Sequence, residues 1–102
     1  MNRSEQGTCY RFTFRRYVNL DDVADCLTLA VCAAEGRFGR ARLKRDGGWI
    51  LDRQRRRCTV DKSNEVGQDV AGLFNGFLLG AFGESAFQVR PQLDSQTRGA
   101  AR

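Results

Sequence analysis

Two stretches of this chain repeat apolar residues at three- and four-residue steps, and the segments around them alternate. Leu20, Val23, Leu27, Val31 and Ala34 mark the first stretch. Val66, Val70, Leu73, Phe74, Phe77 and Ala81 mark the second. Each pattern puts an apolar stripe along one side of a helix. A stripe of this kind has to be buried against another layer, and the alternating segments supply one as a sheet.

The helix ends are written locally. Asn19 is a good N-cap, with Asp21 and Asp22 in the first turn where the helix dipole favours them. This helix is expected to end near Glu35, with Gly36 just past it. Ser63 or Asn64 caps the second helix, which runs to about Phe82 and stops at Gly83.

The first strand is expected over Cys9–Tyr17. Tyr10, Phe12 and Phe14 fall on one side, and Cys9, Arg11, Thr13 and Arg15 on the other. Gly39–Arg45 also alternates, Ala41 and Leu43 against Arg40, Arg42 and Lys44, and is expected to be a strand. Asp46-Gly47-Gly48 then turns into a strand beginning at Trp49. A three-residue loop sets Leu43 opposite Leu51 and Arg42 opposite Asp52. A second turn near Gln54-Arg55 pairs Trp49 with Val60, Leu51 with Cys58 and Asp52 with Arg57. Ser85–Arg90 is the last strand, with Phe87 and Val89 inward, and Pro91 stops it.

The expected order is β-α-β-β-β-α-β. Right-handed crossovers put both helices on one face of the sheet. The expected fold is a two-layer α+β sandwich with an antiparallel sheet of four to five strands. It is a ferredoxin-like variant carrying an extra strand. At 102 residues there is room for one domain, placed at 9–91. Residues 1–8 are expected to be a flexible N-terminus and 92–102 a disordered tail.

Histidine is absent, which removes the commonest general base and metal ligand. Cys9, Cys26, Cys32 and Cys58 contain no C-x-x-C pair and are expected to be buried hydrophobes in a reducing, cytoplasmic setting. Cys9 and Cys58 approach each other if their strands are neighbours. No cofactor, no metal and no membrane span are expected, since no apolar run approaches ~18 residues. Gly36-Arg37-Phe38-Gly39 and Gly80-Ala81-Phe82-Gly83 sit at helix C-termini, the wrong end for a phosphate loop. Glu35 and Glu84 each lie beside a helix-ending glycine, and a site between them is the one enzymatic or small-ligand alternative.

Charge is uneven. Residues 36–62 carry ten basic and three acidic side chains, against a net charge of +5 for the whole chain. With the aromatics facing the helices, Arg11, Arg15, Arg40, Arg42, Lys44, Arg57 and Arg90 are expected on the open sheet face. That face is a candidate for a polyanion, either nucleic acid or an acidic protein. The helices show the opposite property. Cys26–Ala34 and Val70–Gly83 hold no charged residue. Leu29, Gly72, Gly76, Leu79 and Phe82 are expected on the outer helical surface, as a contact for a homodimer or another protein. The leading expectation is therefore a non-enzymatic interaction or assembly module, with nucleic-acid binding as the alternative.

Overall fold

Alternation in the first strand survives folding. In the computed structural model, which describes residues 8–92, Phe12 and Phe14 are buried under the helices while Thr13 faces outward. The elements run β1 (Cys9–Phe14), α1 (Leu20–Phe38), α2 (Arg40–Asp46), β2 (Trp49–Asp52), β3 (Arg57–Asp61), α3 (Glu65–Phe82), a one-turn 3₁₀ helix (Glu84–Ala86) and β4 (Phe87–Gln92). The fold is α+β, a four-stranded antiparallel sheet in the order β2-β3-β1-β4 with three helices packed against it.

The second hairpin forms in the register its side chains demand. Trp49 pairs with Val60, Leu51 with Cys58 and Asp52 with Arg57. The first does not form. Arg40–Asp46 is helix, so the sheet has four strands and Leu43 has no partner on β2. Two alternating apolar residues, Ala41 and Leu43, cannot separate period two from a single helical turn. Propensity decides, because Arg, Ala, Leu and Lys are all strong helix formers and no β-branched residue is present. Leu43 is buried all the same, from a helix rather than a strand.

Asn19 caps α1 by accepting from the Asp21 backbone N–H, and Asn64 caps α3 by accepting from that of Gly67. The first helix passes through Gly36 and stops at Gly39, whose φ of 90° closes it and turns the chain into α2. Gly83, at φ 87°, does the same after α3. Pro91 lies within β4 rather than after it, and an edge strand tolerates it.

The buried stripe of α3 is rotated from the one expected. Val66, Val70, Ala71, Phe74 and Leu78 are buried, and Ala81 is exposed. Leu73 and Phe77 are only half-buried.

Thr8 and Gln92, assigned to flexible ends, are tied into the sheet. The Thr8 backbone N–H donates to the Gln92 carbonyl at 2.9 Å, and the Lys62 N–H donates to the Thr8 carbonyl at 2.8 Å. The rest of those two expectations, on residues 1–7 and 93–102, lies outside the described residues. Cys9 and Cys58 sit on adjacent strands but on opposite sheet faces, opposite Asp61 and Phe12 respectively; all four cysteines are unbridged, and Cys32, expected to be buried, is exposed because it falls on the outer side of α1.

Candidate functional site

The basic segment 36–62 folds into a set of clamps. Arg37 pairs with Asp69, Arg42 with Glu65 at 2.8 Å, and Arg53 with Asp21 at 3.0 Å, each tying two elements together. Arg40 pairs with Glu35, Arg45 with Asp46, and Arg55 with Asp52. The guanidinium of Arg42 also lies 4.9 Å from the centre of the Phe38 ring. Water screens exposed pairs of this kind, so each contributes little to stability on its own.

Arg45 donating to Asp46 holds that carboxyl below its ordinary range. At Asp52 the backbone N–H of Arg55 does the same, helped by the Arg55 charge. Both carboxylates stabilise the fold above their ordinary value of 3.8, and the contribution fades as pH falls below it.

Arg56 escaped the sequence reading. It adopts a positive φ of 54° in the hairpin loop and donates from Nη2 to the carbonyls of Arg15, at 2.7 Å, and Val18. It thereby holds the β1–α1 connection. Three consecutive arginines at a turn give no local sign of which one reaches back.

Of the seven residues expected on the open sheet face, the structure places Arg11, Arg57 and Arg90 there. Arg40, Arg42 and Lys44 belong to α2 because that segment is helical. Arg15 lies just past β1 and donates from Nε to the Ser85 carbonyl at 3.2 Å. Register sets Arg11 between Thr59 and Arg90 and sets Thr13 between Arg57 and Gln88. Arg11 and Arg90 are therefore like charges directly opposite each other, a destabilising arrangement. Among the described residues neither forms an ion pair, and the Arg11 Nε is buried without a hydrogen-bond partner. Ile50 extends the same row outward at 69% exposure.

The outer helical surface carries Leu29, 56% exposed, and Leu79, 42% exposed. Gly72, Gly76 and Gly80 are exposed, and a Cβ on any of them would meet none of the described residues within 4 Å. Packing of one chain's own helices therefore does not explain these glycines. Phe82 is the exception among the five expected contacts, because it is half-buried and packed on the core.

Glu35 and Glu84 are not brought together. Arg37 of α1 reaches Asp69 near the start of α3, so the C-terminal end of α1 lies beside the N-terminal end of α3. Glu84 follows the far end of α3, where the Arg15 backbone N–H bonds the Ala86 carbonyl. The two carboxylates thus occupy opposite ends of the sandwich.

The buried thiols are the reverse of activated nucleophiles. Burial pushes Cys58 up to about 12, and burial with the Asp22 and Asp25 charges raises Cys26. Among the described residues no group of three or more His, Cys, Asp or Glu side chains is placed to hold a metal ion. No helix among them is long and apolar enough to cross a membrane.

Compared with protein-family models, curated proteins and solved structures, the chain matches none of them.

Proposed function

We propose that this chain is a non-enzymatic assembly module that pairs with a second copy of itself through its helical layer. Its strand order and helix placement follow the ferredoxin-like plan without the extra strand, with α2 added. Four unbridged cysteines suit a reducing compartment such as the cytoplasm.

One observation carries the reading: two exposed helical glycines four residues apart, Gly76 and Gly80, that nothing among the described residues uses. Each costs ~1 kcal/mol against alanine in a helix interior. Glycines lined up in this way let another helix approach the backbone closely, and Leu29 and Leu79 then supply apolar contact beside them. A second copy is the occupant favoured by charge. The molecule carries +5 overall, yet Cys26–Ala34 and Val70–Gly83 hold no charge, so joining two copies there sets no like charges against each other. A two-fold pair is also the commonest closed form.

Analytical ultracentrifugation tests this. The wild type is expected to sediment as a dimer at high micromolar concentration, and a Leu29→Glu, Leu79→Glu double variant as a folded monomer. Both leucines are exposed, so the substitutions spare the core, whereas Phe82→Glu would injure it. A wild type that stays monomeric would refute the dimer.

A second reading concerns the open sheet face and rests on Arg11 opposite Arg90. A polyanion laid across Arg11, Arg57 and Arg90 relieves the like-charge pairing. Nucleic acid bound there is held by its phosphates, and its affinity falls with salt at a log–log slope of about −0.9 per duplex phosphate contact. Arg11→Gln with Arg90→Gln is expected to weaken binding to all sequences alike. Gel shifts at low salt that show no complex with RNA or DNA would dismiss this reading.

A further inference from the structure

The sheet is wider than the layer that covers it. Phe87, at the start of β4, is buried. Val89 faces the same way, opposite Phe12, yet stays 37% exposed, and Pro91, opposite Tyr10, is exposed as well. The helices therefore leave the inner side of this edge strand open, and a groove of about 670 Å³ runs between it and α3. That volume is in the range of small-molecule sites.

Its floor is Tyr10 and Val89 with the buried Phe12 beneath them, and its helical wall is Ala71, Gly72, Gln68 and Asn75, with Lys62 at one end. Small residues keep the wall low. A Cβ on Gly72 would meet nothing within 4 Å, so open space lies at that point of the helix.

We propose that this groove binds a small amphipathic carboxylate, its anionic head on Lys62 and its apolar body along Tyr10 and Val89. The Lys62 ammonium lies 4.7 Å from the centre of the Tyr10 ring and, among the described residues, forms no ion pair. Gln68 donates through Nε2 to the Lys62 carbonyl at 3.2 Å. The Asn75 amide has no hydrogen-bond partner among the described residues and stands free for a ligand. No carboxylate lines the groove among those residues, so its field favours anions over cations. A single ammonium over an apolar floor matches a monoanion. A doubly charged phosphate ester would call for a second cation. Tyr10 and Val89 are diagonal neighbours on one face of the β1–β4 pair, about 7–8 Å apart, which suits a phenyl ring or a short alkyl chain.

The probe is 4-phenylbutyrate, titrated into ¹⁵N-labelled full chain and followed by amide chemical shifts. Saturable shifts are expected at Tyr10, Lys62, Gly72, Asn75 and Val89. The uncharged analogue 4-phenylbutanol is expected to bind about tenfold more weakly, and Lys62→Gln to weaken phenylbutyrate by a similar factor. Gly72→Leu is expected to fill the groove and abolish binding while α3 stays folded, because leucine is the better helix former. Absence of saturable shifts at millimolar ligand would overturn the proposal. So would equal binding of the alcohol, or unchanged binding to either variant.

Discussion

Replacing Gly67 by alanine is expected to destabilise the protein by about 3 kcal/mol or more, the upper end of what overpacking costs. Gly67 is buried in the first turn of α3, where the helix starts beneath the end of β3. An added Cβ would run into the Asp61 carbonyl oxygen well inside van der Waals contact. It would also stand 2.9 Å from the Asp61 carbonyl carbon and 3.3 Å from the Lys62 Cα. These are backbone atoms, so no side-chain rotation relieves the clash. Either β3 frays at Asp61, losing its pairing with Cys9, or α3 is displaced from its Asn64 cap. Gly72, one and a half turns along the same helix, is the internal control. Alanine there meets open space and is expected to stabilise by about 0.5–1 kcal/mol. The melting temperature is expected to fall by about 12 °C or more for Gly67→Ala and to rise by a few degrees for Gly72→Ala. Equal effects from both would mean that α3 does not start where the structure places it.

The two substitutions also mark how far the sequence carries. Helix periodicity, the Asn19 and Asn64 caps and the β2–β3 register are legible because each rests on neighbouring residues or on one hairpin. Trp49 opposite Val60 and Leu51 opposite Cys58 leave no competing register, since a slip of one residue puts every apolar side chain on the wrong face. Arg40–Asp46 misleads because seven residues with one buried leucine satisfy both periods. Local propensity favours the helix, and contacts distant in sequence hold it in place as α2. Asn64 donates to the Asp46 carbonyl at 2.8 Å, and Arg42 reaches Glu65. That Gly67 is indispensable while Gly72 stands in open space is invisible in a list of glycines, because what differs is the approach of Asp61.

The candidate surfaces are legible to a similar degree. Leu29 and Leu79 follow from helical geometry alone and are exposed as it requires. The basic sheet face is half legible. Arg11, Arg57 and Arg90 come from true strands, while Arg40, Arg42 and Lys44 follow the fate of α2. The groove beside β4 could not be read at all. It exists because the helical layer stops short of Val89, and the relative width of two layers is set by packing rather than by any local pattern. Lys62 and Asn75 carry no signature in the sequence that would have joined them.

Phe74→Ala is expected to remove about 3–5 kcal/mol, a large part of the 5–15 kcal/mol that holds a domain of this size. Phe74 is fully buried on α3, and Phe12, 1% exposed, sits beneath it on β1. Their rings meet edge to face, with centroids 4.8 Å apart and planes inclined at 65°. Phe12 is also paired with Val89 on β4 and Cys58 on β3, so this contact joins the helical layer to the middle of the sheet. Truncation at Phe74 opens a cavity that Val70 and Leu78, one turn to either side and fully buried, cannot fill without leaving their own sites. Phe74→Leu keeps most of the volume and loses the ring contact, so it is expected to cost distinctly less. A double-mutant cycle of Phe12→Leu with Phe74→Leu isolates the pair, and a coupling of about 0.5–1.5 kcal/mol is expected. Equilibrium urea denaturation measures the four proteins of the cycle and Phe74→Ala. An additive cycle would show that the rings contribute area alone. A Phe74→Ala loss below 1 kcal/mol, a margin far under the ~3–5 expected for a buried phenylalanine, would place the junction of the two layers elsewhere.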